Sequence, residues 1–192
     1  MDTQPVSGIP SVPVPHGTTP TGDGVVIGVG AVDVDAYIDF QCPFCKQFEL
    51  MTGPLLDRLV ANRAIRLIYH PMNLLDAVST AAYSTRAGAA SGAAADAGRF
   101  REYTRVLFEN QPAEGGMGLS DGQLVELGRE IGITDPAFAE TIRTGRYLPW
   151  PRYVTERAIA RGVAGTPSVF ANGVPVAARP GAIVSAVHAV LA

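Results

Sequence analysis

Residues 39–45 read DFQCPFC, and the sequence pattern changes from strand to helix within this stretch. Before it, residues 32–40 alternate apolar and polar side chains, which is the period of a β-strand. The segment after residues 39–45 has a helical pattern, and Gly53-Pro54 lies within it, so we expect a kink or a break in this helix there. In that segment apolar side chains recur at spacings of three and four, which predicts one apolar helical face: Phe44, Phe48, Met51, Leu55, Leu56 and Leu59.

The surrounding chain extends this strand and helix into a larger α/β unit. Residues 64–70 form another β-prone run, so the crossover through the helix places the two strands parallel. A short β-rich run at 25–29 precedes them. Asn172-Gly173 lies between two β-prone triplets near the end of the chain and predicts a hairpin with a type I′ turn.

The pattern along the chain predicts a discontinuous organisation. Residues 74–146 show helical patterns without strand alternation, which indicates a helical insertion. Helices are also expected over 152–161 and 181–192, on either side of the hairpin. The predicted parts are a flexible Pro-rich tether at 1–23, a first part of the α/β fold at 24–73, the insertion at 74–146 and a second part at 147–192.

Composition limits the classes of protein and partner. The 192 residues are 47% hydrophobic and 17% charged, which excludes disorder of the whole chain. The net charge is −3 and the basic residues are scattered, so we expect no nucleic acid partner. No run of about 18 apolar residues is present, which argues against a transmembrane helix. The tether composition favours an exported or membrane-anchored domain of the cell envelope whose signal or anchor is absent from this sequence.

Cys42 and Cys45 are the only cysteines. Their spacing allows a redox-cycling dithiol, half of a zinc site, a static disulfide or chance. Structural zinc usually takes four Cys or His ligands, and the sequence offers no second cysteine pair and no close histidine pair. A disulfide across two residues constrains little chain entropy. We therefore favour a redox-active dithiol that uses no metal and no bound cofactor.

The position of the pair at a strand-to-helix junction supports the redox interpretation. Cys42 falls at the helix N-terminus, where unpaired N–H groups stabilise an anion, so its pKa should be lowered and its thiolate should be the nucleophile. Cys45 lies one turn further on and suits the resolving role. Pro43 occupies an early helical position, where the missing N–H costs no hydrogen bond.

A second motif completes a family pattern. Residues 162–168 read GVAGTPS, and together with DFQCPFC this stretch resembles the DsbA-like thioredoxin-fold thiol–disulfide oxidoreductases over about residues 25–192. The resemblance implies a thioredoxin fold with the helical insertion between the βαβ unit and the C-terminal hairpin and helix. It also implies that Pro167 is cis and lies beside Cys42, and that Thr166 offers backbone groups to an extended client. The substrates would be unfolded or cysteine-containing proteins.

Two aromatic residues and one carboxylate are further site residues. We expect Phe44 and Phe170 to form an exposed aromatic patch that holds unfolded clients. Asp39 is more typical of a solvated cap or loop carboxylate, and its nearness to Cys42 suggests a proton-transfer role as the alternative.

The chain departs from the family pattern at two positions. Relatives often carry an acidic residue at the position of Ala36, where it helps to move the proton of the resolving thiol. Phe44 stands where the most oxidising relatives have a histidine, and phenylalanine donates no hydrogen bond to a thiolate, so we expect a milder oxidant.

The expected function is a monomeric, extracytoplasmic dithiol oxidase that forms disulfides in exported proteins. A membrane or thiol redox partner would regenerate it. The same residues permit a disulfide reductase or isomerase, and also a thioredoxin-fold chaperone or binding domain whose disulfide is inert.

Overall fold

The structure is a computed structural model that describes residues 10–192. Five strands form one mixed sheet in the order β1-β3-β2-β4-β5. The strands are β1 (Val25–Ile27), β2 (Val32–Ile38), β3 (Ile65–Pro71), β4 (Ser168–Ala171) and β5 (Val174–Val176). The α-helices are α1 (Pro43–Ala61), α2 (Tyr83–Asp96), α3 (Phe100–Glu109), α4 (Asp121–Glu130), α5 (Pro136–Thr144), α6 (Pro149–Ala160) and α7 (Pro180–Leu191), and a 3₁₀ turn covers Leu74–Ala77.

The sheet confirms the predicted thioredoxin fold. β2 and β3 pair in parallel across the α1 crossover, whereas β4 pairs antiparallel with β2 and with β5. Asn172 and Gly173 have φ angles of 46° and 78°, and positive φ at both turn positions is the requirement of a type I′ hairpin. The hairpin places the segment that precedes β4 next to the end of β2, where α1 begins.

The helices α2 to α5 share one hydrophobic core with the sheet. α2 is buried along most of its length because it consists largely of small residues, so neighbouring elements approach it closely. At Gly88 an added Cβ would lie 2.7 Å from the Pro151 ring of α6. Ser120 and Gln123 form the predicted capping box at the start of α4.

Helix α1 differs from its prediction in two ways. Of the kink or break expected at Gly53-Pro54, the break does not occur, because Phe48 before the proline and Leu56 after it are both buried and hold the two halves against the core. The predicted apolar face is also divided. Phe44 and Met51 are 69% and 61% exposed because they border an open groove instead of the core.

The prediction of a flexible tether over residues 1–23 is wrong from residue 10 onward, and its first nine residues lie outside the described part of the chain. Pro15 is buried and packs against α2, where an added Cβ at Gly92 would lie 2.8 Å from its ring. The Trp150 indole donates a hydrogen bond of 2.8 Å to the Gly22 carbonyl. Side chains of α6 therefore satisfy the backbone of this proline-rich segment, which its composition did not indicate.

The helices found in residues 10–192 include none that is both long enough and apolar enough to cross a membrane.

Candidate active site

The two cysteines lie at the junction of β2 and α1. Cys42 is the N-cap of α1 and Pro43 is its first residue, as the sequence predicts. Both sulfurs are free thiols, with Cys42 5% exposed and Cys45 completely buried. The Cys45 N–H donates a hydrogen bond of 3.0 Å to the Cys42 carbonyl, which closes the first helical turn over the dithiol.

The environments of the two sulfurs give them opposite acidities. A hydrogen bond from the Cys45 thiol, aided by the backbone N–H groups of Cys45 and Phe44, lowers the pKa of Cys42 to about 6 against the opposing effect of burial. Burial raises the pKa of Cys45 well above its usual value. At neutral pH the outer sulfur is therefore mostly a thiolate while the inner sulfur keeps its proton.

The segment before β4 lies against the outer sulfur. In its protonated form the Cys42 thiol donates to the Thr166 carbonyl at 3.4 Å, which joins two motifs that are 124 residues apart in the chain. The peptide bond between Thr166 and Pro167 is cis. The structure thus brings together four of the predicted site residues, Cys42, Cys45, Thr166 and Pro167.

A mostly apolar groove of about 390 Å³ continues from Thr166 and Pro167 along α1. Its α1 wall includes Phe44 and Met51, and the start of α7 closes the opposite side. Phe44 is therefore an exposed aromatic beside the dithiol, as predicted.

Phe170 does not belong to this groove, contrary to the prediction. Side chains alternate between the two faces of a strand. Phe170 faces away from the buried Val169 and packs edge-on against Tyr37, with ring centroids 5.6 Å apart. It lines a different, polar pocket with His70 and Arg161.

Asp39 is buried, so the expectation of a solvated carboxylate is wrong. The 3₁₀ turn and α2 cover it, and its carboxylate accepts hydrogen bonds from the backbone N–H groups of Gln41 (2.9 Å) and Leu75 (3.0 Å) and from the Ser84 hydroxyl (2.6 Å). Burial raises its pKa. Its link to the dithiol runs through its backbone, because the Asp39 N–H donates to the Cys45 sulfur at 3.4 Å.

A buried carboxylate that the sequence analysis missed lies one turn after Cys45. Ala36 itself is buried and pairs with Tyr69 of β3. The Tyr69 hydroxyl donates to the buried Glu49 carboxylate at 2.8 Å, and Arg101 of α3 forms an ion pair with the same carboxylate. The only sequence signal was the presence of two acidic residues, Glu49 and Asp57, within the apolar run of α1.

Two glutamines, also missed, connect the dithiol to the loop after α3. The Gln111 amide donates to the carbonyls of Phe40 (3.0 Å) and Cys42 (2.9 Å). In return the Gln41 amide donates to the carbonyls of Ala113 (3.2 Å) and Gly116 (3.3 Å). The helical insertion therefore holds the turn that carries Cys42.

Within residues 10–192, no group of three or more His, Cys, Asp or Glu side chains could hold a metal ion.

The sequence matches known proteins over most of its length. A family model described as thioredoxin matches residues 21–187. Among curated proteins, the chain is 31% identical over 135 residues to the serine/threonine-protein kinase PknE of Mycobacterium tuberculosis, which covers 66% of this chain and 24% of the kinase. It is 28% identical over 142 residues to the Na⁺/H⁺ antiporter NhaA 3 of Salinispora tropica, and this match covers 74% of this chain and 20% of the antiporter. The chain thus matches a quarter or less of the length of these relatives.

The fold also matches solved structures. Reduced DsbA of Mycobacterium tuberculosis is 30% identical with a TM-score of 0.76, and the match covers 88% of this chain and 93% of that one. The reduced disulfide bond oxidoreductase DsbG of the same organism is 32% identical with a TM-score of 0.78, covering 88% of both chains. MdbA of Actinomyces oris, at 21% identity and a TM-score of 0.76 over 92% of both chains, shares the fold.

Proposed function

The chain belongs to the thioredoxin family and is a thiol–disulfide oxidoreductase of the DsbA/DsbG type, and on this premise we propose that it is a dithiol oxidase that forms disulfides in exported proteins. The observation that carries the proposal is the contrast between an acidic Cys42 and a buried, protonated Cys45. A stable thiolate is a good leaving group, so a disulfide through Cys42 passes readily to a client.

The proposed reaction transfers two electrons from the client to the Cys42–Cys45 disulfide. A client thiolate attacks the Cys42 sulfur, the Cys42–Cys45 bond breaks, and Cys45 leaves and takes up a proton. A second client thiolate then attacks the client sulfur of the mixed disulfide, and Cys42 leaves as a thiolate. The client gains one disulfide and the enzyme becomes a dithiol. A redox partner of higher potential, either in the membrane or a soluble disulfide, then reoxidises the enzyme.

Residues around the dithiol have separate parts in this scheme. Pro43 starts the helix without losing a hydrogen bond, and Thr166 and Pro167 form the wall against which the client lies. We assign Phe44 to client contact. Asp39 donates its backbone N–H to the Cys45 sulfur, which favours the anion that forms there when the disulfide breaks, while its carboxylate is held by donors of other residues.

The proposed potential is milder than that of the strongest oxidants. Phe44 adds no side-chain donor to the Cys42 thiolate, and one pKa unit of thiolate stabilisation corresponds to about 30 mV for a two-electron couple. We place the potential between about −120 mV, as in DsbA, and about −270 mV, as in thioredoxin. The proposed site of action is outside the cytoplasm, where disulfides persist.

The test compares Cys42→Ser and Cys45→Ser in oxidative refolding of a reduced protein whose activity needs disulfides. Both variants should lose turnover. Cys45→Ser should accumulate mixed disulfides when it is mixed with a disulfide-containing client, because its thiolate still attacks and nothing resolves the product. Cys42→Ser should accumulate none, because Cys45 is buried.

The same assays separate the alternatives. A potential as low as that of thioredoxin, with insulin reduction faster than oxidative refolding, would identify a reductase. Client binding that persists without both cysteines, at a strongly negative potential, would identify a chaperone or binding domain. Equal accumulation of mixed disulfides by the two serine variants would contradict the mechanism.

A further inference from the structure

We propose that the groove beside the dithiol selects client segments in which apolar residues are accompanied by a carboxylate, and that Arg179 binds this carboxylate. This inference rests on the proposed function, because it concerns the clients of the same site. It adds a charge preference to a surface that is otherwise apolar.

The apolar part of the groove is exposed to solvent. Phe44 and Met51 are 69% and 61% exposed along its α1 wall. Pro167 and Ala178 complete an apolar lining. Contiguous apolar surface on a soluble domain commonly marks an interaction site, so an apolar client segment gains burial here.

Of the residues that the structure describes, 10–192, Arg179 is the only charged one that lines the groove. It precedes the first residue of α7 and is exposed, and within residues 10–192 no carboxylate pairs with it. By contrast, Arg157 of α6 and Arg161 just after it form ion pairs with Asp23. On a chain with a net charge of −3, this leaves an unpaired cation at an apolar groove.

The chemistry of a guanidinium defines the missing group. A planar guanidinium binds a carboxylate through two parallel hydrogen bonds. The occupant that complements this groove is therefore an extended client segment with apolar side chains and one Asp or Glu. Lysine or arginine at the same position would place two cations together.

The groove is connected directly to the reacting sulfur. Thr166 lines it, and the Thr166 carbonyl oxygen lies 3.4 Å from the Cys42 sulfur. A client whose cysteine reaches Cys42 therefore lays its adjacent residues along the groove, and an extended chain advances about 3.3 Å per residue. Lys46, the other cation close to the dithiol, is not a groove residue, and its ammonium donates to the Glu109 carbonyl at the end of α3.

The test uses short peptides that contain one cysteine, flanking leucines and a single Glu, Gln or Lys moved through each position on both sides of the cysteine. The rate of mixed-disulfide formation with the oxidised protein is measured for each peptide. At the matching position Glu should react roughly 1.4- to 5-fold faster than Gln, the range for an exposed ion pair, and Lys should react more slowly than Gln. High salt should remove the difference.

Two variants identify the cation. With Arg179→Glu the order of the rates should reverse, so that the Lys peptide reacts fastest and the Glu peptide slowest. Arg129→Glu on α4, which changes the net charge by the same two units at an exposed position outside the groove, should keep the wild-type order. A carboxylate next to a cysteine also raises the pKa of the peptide thiol. To remove this effect, the rate of each peptide is divided by the rate of the same peptide with Arg179→Gln.

The outcomes separate this inference from the proposed function. Equal normalised rates for the Glu, Gln and Lys peptides at every position would overturn the role of Arg179. So would a change in the order of the rates with Arg129→Glu as large as the change with Arg179→Glu. In both cases Cys42-dependent reaction would continue and the proposed function would stand. Loss of reaction with all peptides would instead contradict the proposed function.

Discussion

Cys42 and Cys45 show how much a local pattern reveals about a single residue. Their predicted roles came from their position at the strand-to-helix junction, because a sulfur at the helix N-terminus is close to unpaired N–H groups. The face of β4 that carries the Phe170 side chain could not be predicted from the sequence, since a shift of one residue on a strand turns the side chain to the other face. Glu49 and Gln111 could not be found either, because their partners lie about 20 and 70 residues away in the chain.

The hydrogen bond between the two sulfurs leads to a prediction about Cys45. Cys45→Ala removes the donor that contributes most to the acidity of Cys42, so the pKa of Cys42 should rise from about 6. Hydrogen bonds to charged groups contribute about 1.5–3 kcal/mol, which corresponds to a rise of roughly one to two pKa units. The measurement is the ultraviolet absorbance of the thiolate as a function of pH.

Cys45→Ser is the matched control, because its hydroxyl still donates. Its Cys42 pKa should stay below that of Cys45→Ala. Equal pKa values in the two variants would show that backbone N–H groups alone stabilise the thiolate.

At the scale of the elements, the strands and helices were predictable because their periodicity is local. The continuity of α1 was not, since burial of Phe48 and Leu56 overrides Pro54. The segment at residues 10–23 was misjudged for a related reason. Its composition indicates a tether, whereas the groups that hold it belong to α6, which begins more than 120 residues later.

Asp23 is the anchor of this segment. Its carboxylate is buried and accepts from Arg157 at 2.9 Å and Arg161 at 2.8 Å. Although desolvation acts in the opposite direction, these cations and the hydroxyl donors of Thr19 and Thr21 lower the pKa of Asp23 to about 2. Because the folded pKa is depressed, the stabilisation is present above the ordinary pKa of about 4 and is lost as the pH falls toward 2.

Asp23→Asn should therefore lower the free energy of unfolding by roughly 2–3 kcal/mol at neutral pH, because it removes the buried carboxylate that pairs with Arg157 and Arg161. Asp33→Asn is the matched control. Asp33 also pairs with an arginine, Arg66, but both side chains are partly exposed, so the loss should stay below about 1 kcal/mol. Urea unfolding measures both values. Faster amide exchange at residues 17–26 in Asp23→Asn alone would locate the effect, and equal losses in the two variants would contradict the anchor.

At the scale of the whole molecule, one core joins the insertion to the thioredoxin halves. It includes Leu67 of β3, Leu107 of α3 and Trp150 of α6 in a single cluster. The sequence predicted an insertion from the absence of strand alternation, but the glutamine contacts that tie it to the dithiol depend on the folded arrangement. Because no separate core exists within residues 10–192, we expect unfolding in one cooperative transition, with Trp150 fluorescence and backbone circular dichroism changing together.

Cooperative unfolding makes the acidity of one sulfur visible in the stability of the whole reduced protein. The folded pKa of Cys42 is about 6 and its ordinary pKa is about 9, so thiolate stabilisation is fully present above pH 9 and is lost as the pH falls through 6. At pH 7 it should contribute about 1 kcal/mol to the free energy of unfolding, and at pH 5 almost nothing.

Cys42→Ser lacks this contribution but keeps Asp23 and Asp39, so subtracting its stability cancels their titrations. The difference between reduced wild type and Cys42→Ser should therefore grow by about 1 kcal/mol from pH 5 to pH 7, measured by urea unfolding. A difference that stays constant would mean that folding does not stabilise the Cys42 thiolate, and the proposed oxidase would lose its driving force.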